Sequence, residues 1–145
     1  MTIIEAISRI DILKPNTYTQ LEKVKWLSNL DGIIKNNIID THEGGENVVF
    51  EGYDDATPIT TELLVPAPYD DIYLKWLQTW IDFTNGEYAR YNNSALAYNG
   101  AYEAYNRHYN RTHMPKGKKI KFFPRPKTPE YMAANAVAKV SIEEE

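Results

Sequence analysis

The sequence predicts a mainly α fold: a helical bundle with one long Tyr-rich helix at about 70–110, a small β-hairpin or loop insertion at about 44–66, and an extended C-terminal arm. Three observations carry that expectation. Apolar residues recur every three or four positions through residues 3–38 and again through 73–109. The stretch between them, "DTHEGGENVVFEGYDDATPITTELLVPAP", breaks the period with Gly44-Gly45 and three prolines. After them, "HMPKGKKIKFFPRPKTP" at 113–129 holds six Lys or Arg and no acid. The chain therefore divides into a helical body, 1–112, and a basic Pro-rich arm followed by a short C-terminal helix or tail, 113–145.

At the start, Thr2 and Glu5 have the spacing of a capping box, and Ile3, Ile7 and Ile10 follow on one helical face that must end before Pro15. Thr17 and Gln20 form a second such pair. Leu21, Val24, Leu27, Leu30, Ile34 and Ile38 then trace a second helix, with Gly32 inside it. In the interrupted stretch, Val48–Phe50 and Thr60–Val65 are the two runs that suit short strands. Asp70-Asp71 places negative charge where a helix begins.

From there Tyr73, Leu77, Trp80, Thr84, Tyr88, Tyr91, Ala95, Tyr98, Tyr102, Tyr105 and Tyr109 advance in steps of three and four. One unbroken helix over 70–110 would run roughly 60 Å at about 1.5 Å per residue. A compact chain of this size is roughly 38 Å across. Two outcomes fit: a break near Asn85-Gly86 into a helical hairpin, or a projecting rod whose distal Tyr stripe is covered by other copies. Tyr91, Tyr98, Tyr102, Tyr105 and Tyr109, flanked by asparagines, have the half-polar character of an interface, and they are the expected self-assembly residues.

Charge is unevenly spread. Residues 1–104 carry a net −9, residues 105–127 a net +8 and residues 128–145 a net −3. Lys116, Lys118, Lys119, Lys121, Arg125 and Lys127, with Phe122, Phe123 and the prolines, fit a partner-docking arm whose rigid segments cost little to order. The same residues also fit a strip that tracks a nucleic-acid backbone, or a solvated tail. Thr128-Pro129-Glu130 has the pattern of a helix start.

Candidate chemistry is sparse. With no cysteine, disulfides and thiolate metal sites are excluded. "THEGGE" has Glu46 where the zinc motif H-E-x-x-H requires its second histidine, so a polar turn is the expectation there. "YDD" occurs twice, at 53–55 and 69–71, without a phosphate cradle beside it, and is expected to form turns and helix starts. No nucleophile–base pair accompanies His42, His108 and His113. Catalytic residues, cofactors and metals are accordingly expected to be none. "MTIIEAISRIDILK" lacks the features of a signal peptide, and no apolar run is long enough to span a membrane, so a cytosolic site of synthesis is expected.

Three stretches, "NTYTQLEKVKWLSNLDGIIKNNIIDTHEG", "ELLVPAPYDDIYLKWL" and "NGEYARYNNS…YNRTHMPKGKKIKFF", resemble a family of small proteins of tailed bacteriophages and prophages of Gram-positive bacteria. The resemblance extends over residues 1–123. Such proteins are similar in size and helical character to head-tail connector (adaptor) proteins. The resemblance implies a homo-oligomeric ring, commonly of twelve copies, under the portal protein at the capsid vertex of the virion, made in the host bacterial cytoplasm. It implies long helices around a channel through which DNA passes without sequence-specific contact. It also implies an extended C-terminal segment gripping the portal and a further tail or connector protein below. The expectation is thus a structural virion protein that stays monomeric or weakly associated until the portal nucleates it. A phage-encoded nucleic-acid-binding protein, or another tail or capsid accessory protein, is the alternative.

Overall fold

In a computed structural model the described residues are 1–117. They form four α-helices: α1 (Ile3–Leu13), α2 (Gln20–Ile34), α3 (Asp71–Thr84) and α4 (Tyr88–Thr112). The expected arm residues Lys118, Lys119, Lys121, Phe122, Phe123, Arg125 and Lys127, and the helix expected after Thr128, lie outside the described residues.

The first capping box forms as its spacing predicts. Thr2 Oγ1 accepts from Glu5 N at 3.3 Å, and Glu5 Oε2 accepts from Thr2 N at 2.9 Å. Ile3, Ala6, Ile7 and Ile10 are buried. The second helix starts two residues later than expected. Thr19, not Thr17, is its N-cap and accepts from Glu22 N at 3.3 Å. Both threonines precede an acidic or amide residue at the right spacing. The difference is that Asn16 Oδ1 accepts from Tyr18 N at 3.2 Å, an Asx turn that commits Tyr18 to a non-helical course. Val24, Leu27, Leu30 and Ile34 are buried, whereas Leu21 in the first turn is exposed. A single π-helical turn, Lys35–Ile39, continues α2 and buries Ile38 and Ile39.

The expected single helix over 70–110 does not form. Asn85 caps α3, Gly86 adopts φ +74, and the chain reverses over three residues into α4. Phe83 then lies against Tyr91, Trp76 against Tyr98 and Tyr69 against Tyr105, so the pair is antiparallel. Of the two outcomes that the length allowed, this is the break at Asn85-Gly86. In an antiparallel hairpin each helix turns its apolar face toward the other, so one stripe runs through the turn and its period does not betray the reversal.

Among the described residues there is no strand, so the insertion is a loop rather than a hairpin. Its second half serves α1: Thr61 O and Ile59 O accept from Ile3 N and Ile4 N at 3.1 and 2.9 Å, satisfying first-turn donors. Leu63 and Val65 turn into the core. Asp31 of α2 anchors the loop from below. Its carboxylate accepts from Tyr53 Oη (2.6 Å), Tyr73 Oη (2.6 Å) and Leu64 N (3.2 Å). Gly45 marks a close approach, since a Cβ there would lie 2.3 Å from Ile39 O.

Candidate self-association surface

The five tyrosines expected to meet another copy do not share one environment. Tyr105 and Tyr109 are 3% and 8% exposed, covered by their own chain, and cannot reach a neighbour. The reason is the hairpin. Folding back lays the end of α4 over Tyr69, the π turn and His42. Tyr69 packs on Tyr105 at 6.0 Å between ring centroids, and His42 meets Tyr109 edge-on at 4.9 Å. Tyr91, Tyr98 and Tyr102 remain half-buried. Burial first, and Tyr102 second, push the Tyr98 phenol up to about 12.

What the tyrosine stripe did not reveal is the aromatic group around it. All three tryptophans gather where α2 meets the turn end of the α3–α4 hairpin. Trp26 and Trp80 stack at 6.1 Å with 14° between planes, and Tyr18 meets Trp26 edge-on at 5.5 Å. Trp76 and Phe83 each stand edge-on to Trp80, and Phe83 continues to Tyr91. Phe83 and Tyr88 remain 47% and 66% exposed. The available signal was composition: tryptophans at 26, 76 and 80 lie in two segments that must pack together if the bundle closes.

Polar pins hold this end. Buried Asp82 accepts from the Ser94 hydroxyl and pairs with the Lys14 ammonium. Lys14 also reaches Glu87 at 3.3 Å, and Tyr18 Oη donates to Asn85 Oδ1 at 2.5 Å. Trp76 Nε1 donates to Trp26 O at 2.7 Å. α1, α2 and both limbs of the hairpin are thereby tied at the turn, so the exposed rings sit on a fixed base.

At the other end the arm takes root. Glu43 N donates to Met114 O at 2.8 Å and Lys116 N to Thr41 O at 3.0 Å, and Lys116 Nζ lies 3.5 Å from Glu46. The backbone N–H of Glu46 first, and Lys116 second, hold the Glu46 carboxyl below the usual range. The "THEGGE" stretch is the expected polar turn, with Gly44 at φ +84. Both ring nitrogens of His42 are occupied, Nδ1 by Ile38 O and Nε2 by Asn110 Oδ1, each at 2.7 Å. His113 stacks on Tyr109 at 3.8 Å and His108 on Tyr69 at 4.6 Å, so the three histidines surround one tyrosine cluster. Among the described residues no three His, Asp or Glu side chains gather as metal ligands. Asp54 of the first "YDD" accepts from Ala56 N and Thr57 N in a turn, and the second leads into α3. No described helix is long and apolar enough to cross a membrane.

The body's negative charge is concentrated. Residues 36–74 contain nine Asp or Glu and no Lys or Arg. Compared with protein-family models, curated proteins and solved structures, the chain matches none.

Proposed function

We propose that this protein is a non-catalytic assembly subunit: a head-tail connector-type protein that forms a ring at the portal vertex of a tailed phage. The observation that carries self-association is the rigid aromatic surface at the hairpin turn, where Trp80, Phe83, Tyr88 and Tyr91 stand partly open to solvent. Contiguous exposed aromatics on a pinned scaffold are the residue type and setting of interface anchors. The phage role rests on the sequence resemblance. The portal is the partner that the resemblance supplies for the arm, whose first cation, Lys116, already projects from the body's far end. The acidic 36–74 region suits a wall past which DNA slides without sticking.

The test is sedimentation velocity of the full chain over a concentration series, followed by electron microscopy with portal added. Reversible association that Phe83→Ser abolishes, and rings on portal addition, are the expected results. A chain that stays monomeric at every concentration and gives no ring with portal overturns the proposal. The second reading, nucleic-acid binding, is favoured by the net +8 over residues 105–127. It requires DNA affinity that falls steeply with salt.

A further inference from the structure

We infer that the groove at the hairpin turn is the receptor for the Pro-rich arm of a neighbouring copy, residues 122–129, "FFPRPKTP". This rests on the reading of that end as a self-association surface, specifies what fills it, and takes residues 122–129 from the portal-docking role that the resemblance implies for the arm. The groove, about 670 Å³, runs between the start of α2 and the turn. Stacked Trp26 and Trp80 form its floor, Tyr18, Phe83 and Tyr88 its sides, and Glu22 its rim.

The chemistry of groove and arm is complementary. Flat aromatic walls accept proline rings, and a segment with fixed φ at each proline loses little entropy on docking. The arm offers Pro124, Pro126 and Pro129, with Phe122-Phe123 as apolar anchors. Arg125 and Lys127 alternate with the prolines. They match Glu22, which makes no ion pair among the described residues, and a guanidinium also stacks on indole faces. On the larger scale an arm of net positive charge meets a body of net −9 over residues 1–104.

Reach selects the neighbour. The arm leaves the body beside Thr41 and the end of α4, whereas Tyr88, at the start of α4, borders the groove. The rise from Tyr88 to Thr112 is about 36 Å. Six residues from Lys116 to Phe122 cover at most about 20 Å when fully extended. A subunit's own Phe122 and Phe123 therefore fall short of its own groove, so the whole 122–129 segment can seat only on another copy. Groove and arm at opposite ends make a head-to-tail contact, which closes into a ring where its rotation returns to the first copy and otherwise runs on as a filament.

Two full-length variants test this. One carries Phe83→Ser and Tyr88→Ser, exposed positions in the groove. The other carries Phe122→Ser, Phe123→Ser, Pro124→Ala and Pro126→Ala in the arm. Sedimentation velocity is expected to show each variant monomeric alone and an equimolar mixture forming a dimer and nothing larger, because one intact groove meets one intact arm. Tryptophan emission should shift on mixing and not in either variant alone. If the arm variant still associates as the unmodified chain does, self-association stands and the arm is not the occupant. Two monomeric variants that give no dimer on mixing also overturn the inference. An unmodified chain that is monomeric at every concentration and gives no ring with portal removes the underlying reading itself.

Discussion

The two ends of the α3–α4 hairpin are built from the same kind of residue and end in opposite states. At the base, Tyr105 and Tyr109 are sealed under Tyr69, His42 and His113. At the turn, Phe83 and Tyr88 lie open. Helical period does not separate them, since all but Phe83 lie on the same stripe. Coverage does. α4 has 25 residues and α3 has 14, so α4 overruns its partner at the base and falls across the π turn and the 41–46 loop. At the turn the chain has already reversed, and among the described residues no further element lies over the rings. Burial of an aromatic stripe is thus decided by which elements the topology brings over it.

The comparison makes the base the half that carries stability, and the largest effect should appear beneath it. Asp31→Ala would leave the buried Tyr73 hydroxyl, the half-buried Tyr53 hydroxyl and the Leu64 N–H without their acceptor, at a cost of about 3 kcal/mol or more. Burial pushes the Asp31 carboxyl up, against the hydrogen bonds from Tyr53, Tyr73 and Leu64. Asp31→Asn sheds that desolvated charge but sets an N–H₂ group against a donor, so it should cost less, about 1 kcal/mol. Urea midpoints of the two variants check the order. An alanine variant as stable as the unmodified chain would mean that the loop is held by apolar contacts alone.

A second, graded effect concerns the phenols. Burial first, and neighbouring phenols second, push Tyr98 and Tyr105 up to about 12, and Tyr53, Tyr73 and Tyr109 shift in the same direction. The folded chain therefore holds these protons more tightly than the unfolded chain, whose phenols ionise near 10. The stabilisation is complete below about 10 and is lost as pH rises toward about 12. Melting temperature should be level below that window and fall across it. Rapid-mixing absorbance should show these tyrosines ionising only as the fold opens. A melting temperature that holds steady through the window would show that the base is wet.

Much of this was legible in the residues. Thr2 and Glu5 announced α1, and the Ile and Leu spacing announced α2 and its buried face. Asn85-Gly86 was a place where the long stripe could turn, and it does. The period could not choose between that reversal and a projecting rod, because both limbs of a hairpin repeat one period. The split fate of the tyrosines was hidden for the same reason, since it depends on long-range coverage by Tyr69 and His42. Asp31 was invisible as a hub: a lone acid in a helix reads as a solvated residue until Tyr53 and Tyr73, far away in sequence, supply its donors. Thr17 misled because two overlapping capping patterns differ only in what Asn16 does to Tyr18.

The smallest effect belongs to the turn. Tyr88→Ser removes a ring that is 66% exposed, at the first position of α4, where Glu87 makes no side-chain hydrogen bond to the helix's free N–H groups. Serine tolerates a helix start, and little apolar area returns to water, so the cost to the folded monomer should stay within about 0.5 kcal/mol. Association should nevertheless weaken, because the same ring walls the groove that another copy would fill. Denaturant unfolding under dilute, monomeric conditions isolates the first quantity, and sedimentation at high concentration isolates the second. A loss of stability as large as that of Asp31→Ala would mean that the chain covers Tyr88 itself, and the two ends of the hairpin would no longer differ.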